Sequence, residues 1–314
     1  MSHAPDLSAE LRATLFNLRE TRPTSHIYLL LDNACPVSPE HPLHPAQLAQ
    51  RPISRQRAQL FGDVPTPVRE WQPVLVQLYR AGENGYVDEE LIDFSLITAA
   101  ARCTSINGAY VSAWIASDAN PDELAVHLSQ ACRTFDASQA ASRRIPLYEP
   151  HRMALLADAP GEDAFLRAFL RPISLWAFVD AAGSLRTLNL VDRTPEAAPA
   201  TRRMGLSMSR TQGRVPLARL ALLGAVKGGL PISAHAETTL DGLLVEADRL
   251  GLTDAEDLVF FALNGLTLAP RWHAHPQALQ CIAQSRDEGA PLAGLMAGLP
   301  DDVLDEIGAY GRSH

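Results

Sequence analysis

Short apolar runs closed by turn-forming residues limit most strongly how this chain can fold: HIYLLLD at 26–32, PVLVQL at 73–78, GAYVSAWIASD at 108–118 and ISLWAFVD at 173–180. A membrane-spanning helix needs roughly 20 consecutive apolar residues, and these runs fall far short of it. Their length and their β-branched and aromatic content match buried strands. Between the first two, the prolines at 65 and 67 mark extended connection.

Helical periods separate the strands. Leu7, Leu11, Leu15 and Leu18 form an apolar stripe over 7–19, and Val87, Leu91, Phe94, Thr98 and Ala101 form another over 87–102. In NPDELAVHLSQACRTF, Asn120 suits an N-cap, Pro121 the first helical position and Glu123 the returning carboxylate of a capping box, with Leu124, Leu128, Ala131 and Phe135 as the buried face. RRIPLY reads as a further strand, EPHRMALLAD and GEDAFLRAFL as helices, and ISLWAFVD with SLRTLNL as a hairpin turning at Ala181, Ala182 and Gly183.

Strand signals fade beyond residue 192. The segment 193–216 is rich in Pro, Arg, Ser, Thr and Gly without a sustained period, which predicts a linker or mobile loop. Helical patterns with Gly or Pro punctuation fill the remainder, one of them opened by a Thr253/Glu256 capping box. The expected architecture is therefore an α/β domain over 1–192 with a mixed sheet and flanking helices, a linker over 193–216, and an all-helical domain over 217–314.

The chain has 314 residues, enough for two domains that each bury a core. Its formal net charge of -9 argues against bulk attraction to nucleic acid or anionic lipid, so neither is expected as a partner. Lys227 is the only lysine, and arginine carries the remaining positive charge. Cys35, Cys103, Cys132 and Cys281 are scattered without a CxxC, as expected for buried free thiols. MSHAPDLSAELRATLFNLRE lacks the basic start and apolar core of a signal peptide, so a cytoplasmic location is expected.

Chemistry-bearing patterns are incomplete. GLSMSR at 205–210 offers Ser207, but Ser209 stands where G-x-S-x-G requires its second glycine, and no strand-to-helix step surrounds it. His41 and His44 in HPLHP, and His273 and His275 in RWHAHP, invite a metal reading; a zinc site needs a further ligand that no HExxH or CxxC supplies, and Trp272 reads as a buried ring. VKGGLP lacks the spacing of a phosphate loop, so no cofactor is expected. Asp88, Glu89, Glu90, Asp301 and Asp302 sit where they offset helix dipoles.

YEPHR at 148–152 is the densest cluster, with an acid, an imidazole and a guanidinium. It reads as a strand handing over to a helix: Glu149 supplies an acceptor or favourable charge at the helix start, Pro150 fits the first position, and adjacent residues on a helix do not face one another. No catalytic residue is assigned. The rival reading is a hydrolytic enzyme using Glu149 and His151, with Arg152 or the histidines beside Trp272.

YLLLD at 28–32, AQLFGD at 58–63, WQPVLVQL at 71–78, AWIASDANPDELAVHLSQACR at 113–133, RRIPLYEPHRMALL at 143–156 and RPISLWAFVD at 171–180 resemble, in order and spacing, the bacterial family called domain of unknown function 4123. The resemblance covers roughly residues 26–185. It implies a cytoplasmic, non-catalytic adaptor chaperone of type VI secretion. Such a protein binds the N-terminal region of a toxic effector and a C-terminal segment of the valine-glycine-repeat (VgrG) spike, and loads one onto the other. The family's YDPR step resembles YEPHR here, with Glu149 for the aspartate and His151 where the arginine would stand, which keeps the capping logic. Candidate partner contacts are Arg152, Trp272 and the linker arginines Arg202 and Arg203, with Arg193, Arg210 and Arg214 beside them. An immunity protein, binding the toxin's catalytic domain instead, is the remaining alternative.

Overall fold

The computed structural model describes residues 7–51, 57–61, 72–83, 87–136, 141–159, 163–189 and 206–313. The chain divides into two compact units, Met1–Ser209 and Arg210–His314.

In the first unit the elements run α1 (Leu7–Thr21), β1 (His26–Leu31), α2 (Pro45–Leu48), β2 (Arg57–Gln59), β3 (Val74–Tyr79), α3 (Glu89–Arg102), β4 (Val111–Ser117), α4 (Pro121–Ala131), β5 (Arg133–Asp136), β6 (Ala141–Arg144), α5 (Pro150–Asp158), α6 (Asp163–Phe169), β7 (Ile173–Val179) and β8 (Leu185–Asn189). Six strands form one sheet in the order β2-β3-β1-β4-β7-β8, and β5 pairs with β6 apart from it.

Alternation along each strand sends side chains to opposite faces. Ile27, Leu29, Leu31, Trp114, Ala116, Leu175 and Ala177 pack beneath α1 and α3, against Leu11, Leu15, Leu91 and Leu96. Tyr28, Leu30, Ala113, Ile115, Trp176 and Phe178 pack on the other face, against Leu124 and Leu128 of α4, Met153 of α5 and Phe169 of α6. Helices thus cover both faces of the sheet.

This double burial corrects one expectation. Every pairing in the large sheet is antiparallel, so the sheet is not mixed. Continuous apolar strands usually accompany parallel sheets because crossover helices cover both faces. Here helices cover an antiparallel sheet, and the same composition results.

Local signals were mostly placed correctly. Asn120 caps α4 by accepting the Glu123 N–H at 2.9 Å, and the Glu123 carboxylate accepts the Asn120 N–H at 3.2 Å. Asp88 caps α3 by accepting from the Leu91 N–H. The β7–β8 hairpin closes through Gly183 at φ 77°, a left-handed conformation that glycine adopts without strain. Three details differ. The buried face of α3 is Leu91, Ile92, Ser95, Leu96, Thr98 and Ala99, whereas Ala101 is exposed. Phe135 belongs to β5 instead of α4, and the strand expected in RRIPLY ends at Arg144.

The second unit carries most of α7 (Leu206–Lys227), then α8 (Ala236–Arg249), α9 (Ala255–Thr267), a 3-10 turn (Trp272–Ala274), α10 (Pro276–Glu288), α11 (Leu292–Ala297) and α12 (Asp301–Ser313). Leu240, Leu244, Phe261, Trp272, Ile282, Leu292 and Ile307 are buried. The cap of α9 is Asp254, which accepts from the Glu256 and Asp257 N–H groups, one residue beyond the expected Thr253. Buried Asp257 accepts from the Ser285 hydroxyl at 2.6 Å and the Leu292 N–H at 2.8 Å, tying α9 to α10 and to the start of α11. No helix among the described residues is long and apolar enough to cross a membrane.

The linker expected over 193–216 is helical from Leu206 onward, and residues 193–205 lie outside the described residues. Met208, Thr211, Gln212, Val215, Ala218, Ala221, Leu222 and Ala225 are the buried face of α7. Polar Thr211 and Gln212 on that face hid its helical period, and Thr211 is accommodated by donating to Asp241 at 2.9 Å.

Replacing Asn120 with Ala removes the side-chain oxygen that accepts the Glu123 N–H and leaves the backbone N–H of residue 120 to the Glu123 carboxylate. Stability is expected to fall by about 1 kcal/mol, read as a lower urea midpoint at unchanged m.

Candidate functional site

Residues 145–152 join β6 to α5. The chain leaves β6 with the Ile145 N–H bonded to the Cys132 carbonyl at 2.9 Å, turns through Pro146, and enters α5 at Pro150 with the Met153 N–H on the Glu149 carbonyl. Glu149 holds the cap position, yet its side chain makes no capping bond. The carboxylate instead accepts from Arg152 Nε at 3.0 Å, in an ion pair whose side chains are 8% and 12% exposed respectively. The expectation that Glu149 would serve the helix start is corrected to this extent. Residues three apart on a helix do meet, and in a site this dry the guanidinium is the stronger competitor for the carboxylate.

Tyr148 and His151 are buried beside the pair. Burial pushes the Tyr148 phenol well above its ordinary value, and pulls the Arg152 guanidinium down to about 10, still charged at neutral pH. Burial also pushes the Cys132 thiol up to about 12, against the favourable N–H groups of Leu147 and Tyr148. A thiol so placed is an inert part of the core. Within YEPHR the structure joins Glu149 to Arg152, and Tyr148 and His151 are buried with them in the first unit's core at the entry of α5.

The other candidate residues divide. Trp272 is 0% exposed; its indole N–H donates to the Phe261 carbonyl at 3.3 Å, so it is a core residue and not a partner contact. Arg152 is likewise committed to its ion pair. Arg193, Arg202 and Arg203 lie outside the described residues. Arg214 pairs with Asp241 at 2.8 Å, and Arg210 is exposed.

The histidines act in local structure. His44 caps α2, and His275 caps α10 by accepting from the Gln277 N–H at 3.3 Å. His41 accepts from the Leu43 N–H and meets the Thr98 hydroxyl at 3.2 Å. His273 lies 3.7 Å from Glu246 and stacks near Phe261. Among the described residues, no group of three or more His, Cys, Asp or Glu is placed to hold a metal ion. All four cysteines are free thiols, with Cys103 only half-buried.

Sequence reasoning missed the surface concavities. A cleft of about 580 Å³ lies along α1 and the start of α3, with Phe16 61% exposed at its rim and Leu15 and Ile92 at its base. A smaller cleft of about 390 Å³ lies between β2 and α4, lined by Phe61, Ala125 and Val126. The exposed positions of Phe16 and Val126 on otherwise amphipathic helices are the only signal of either in the sequence. Compared with family models, curated proteins and solved structures, the chain has no significant match in any of the three.

Glu149→Gln removes the carboxylate charge that faces the buried Arg152 guanidinium. A loss of about 3 kcal/mol is expected, and adding Arg152→Met should recover much of it, as read by a double-mutant cycle in urea.

Burial lowers the pKa of His26 and of His41 below the ordinary 6.5. The unfolded chain then takes up protons first, so their contribution is intact above pH 6.5 and is lost as pH falls through the lower folded-state values. The urea midpoint of the first unit should decline below that pH, and less steeply in His26→Gln.

Proposed function

We propose that this chain is a non-catalytic adaptor chaperone of type VI secretion, which holds the N-terminal region of a toxic effector and presents it to a C-terminal segment of the VgrG spike in the cytoplasm. One observation carries the reading. The segments whose order and spacing resemble domain of unknown function 4123 contribute five strands, β1, β2, β3, β4 and β7, to one sheet, and α4 and α5 to one of its faces, with their ends reaching into the separate β5–β6 pair. A resemblance scattered over loops or over unrelated elements would carry much less weight.

The burial of Tyr148, Glu149 and His151 supports the same reading, because a hydrolase needs its acid and base within reach of a substrate. An amphipathic effector helix requires an apolar concavity with charged rims. The cleft along α1 and α3, rimmed by Arg12, Arg19, Glu20 and Glu89, has that character.

Co-expression with the toxin encoded beside this chain should yield a complex that survives size-exclusion chromatography. Deleting the toxin's N-terminal region should abolish it, whereas deleting the catalytic domain should not. The reverse pattern would identify an immunity protein, and recovery of both proteins only as separate species would refute both.

A further inference from the structure

Two short sequences of one type, RPTS at 22–25 and RPIS at 171–174, lead into β1 and β7, the first ending just before β1 and the second running into the first two residues of β7. Both strands pair antiparallel with β4, one on each side, so they run parallel to each other and begin at the same end of the sheet. Topology therefore brings the two tetrapeptides together over the C-terminal end of β4. Ser25 Oγ and Ser174 Oγ are 3.5 Å apart, and Arg22 and Arg171 line one pocket of about 270 Å³ with Asp118 and Ser174.

The pocket floor is fixed by its own hydrogen bonds. Ser25 donates to Asp118 Oδ1 at 2.6 Å, Thr24 to the same oxygen at 3.2 Å, and Ser174 to the Ala116 carbonyl at 3.1 Å. Ser117 donates to the Pro172 carbonyl and accepts from the Ala119 N–H. With the hydroxyl protons used in this way, the side-chain donors left among the described residues lining the pocket are the two guanidinium groups. Among the described residues neither Arg22 nor Arg171 has a side-chain hydrogen bond or ion pair. The same motif at 51–54 provides a contrast, since Arg51 is held by Asp88 at 3.0 Å and Glu90 at 2.8 Å.

Two guanidinium groups against one carboxylate leave the pocket with net positive charge, and Asp118 already spends one oxygen on Ser25 and Thr24. Guanidinium groups bind carboxylate and phosphate through paired N–H donors. The volume of about 270 Å³ lies below the range of about 300–1,000 Å³ typical of larger ligands. It suits a single anionic head.

We infer that Arg22 and Arg171 form a binding pocket for a small oxyanion, supplied either by the carboxylate of an acidic side chain or by free phosphate. The site is independent of the adaptor reading and remains if that reading fails.

The test titrates the full chain with inorganic phosphate and, separately, with N-acetyl-glutamate amide at ionic strength held constant by chloride, following the amide NMR signals of Ser25, Asp118 and Ser174. Saturable shifts are expected, with binding weakened about ten-fold in Arg22→Gln and in Arg171→Gln. Asp118→Asn keeps the Oδ1 acceptor and removes the competing charge, so it should bind more tightly; this arm needs neither arginine replaced. Saturation by both probes identifies a carboxylate site, and saturation by phosphate alone identifies the free anion. Absence of saturable shifts in the wild type, or shifts unchanged when both arginines are replaced, overturns the inference.

Discussion

Burial of both faces of an antiparallel sheet is the constraint on which the rest of the first unit depends. β1 and β4 are central strands whose side chains enter a dry core whichever way they point, and Leu29 and Leu30 are equally withdrawn from water although they face opposite layers. A register slip by one residue would exchange the two sets, and here both sets are apolar, so the usual penalty of exposing the buried face is weak. Specific shapes and polar anchors must supply the register instead. Trp114 donates to Ser95 of α3 at 2.9 Å, and Tyr28 donates to the Ala119 carbonyl at 2.7 Å on the opposite face. Each bond is satisfied in one register only.

The step into α5 follows the same logic. A buried Glu–Arg pair contributes little net stability when compared with an apolar pair of equal volume, because both charges must leave water. Once formed, it is costly to break from one side. Glu149 and Arg152 therefore fix how α5 starts above the sheet more than how strongly it binds there, and Pro150 at the first helical position holds the backbone angle that lets them meet. A cluster with the residue types of an active site can in this way be entirely structural, and its burial distinguishes the two cases.

The polar network at the end of β4 has the opposite exposure. It rests on serines that are buried and occupied, and it leaves two arginines turned toward a small open pocket. Rigid support beneath open donors is the arrangement a recognition site requires, since little side-chain freedom near the floor remains to be lost on binding. Adaptor function and anion binding are separable claims about this unit, one resting on the order of its segments and the other on the convergence of two tetrapeptides.

Much of the secondary structure was legible in the sequence because its causes are local. The box of Asn120 and Glu123, the Gly183 turn, the strand content of HIYLLL and ISLWAFV, and the helical periods after residue 217 all depend on residues within a few positions of one another. What depended on distant partners was not legible. Antiparallel pairing was hidden because helices on both faces erase the alternation that betrays it; the start of α7 was hidden because Asp241 satisfies Thr211 on a buried face; and Trp272 and Arg152, plausible contacts by residue type, were withdrawn by packing. RPTS and RPIS lie nearly 150 positions apart, and only the placement of β1 and β7 on either side of β4 makes them neighbours.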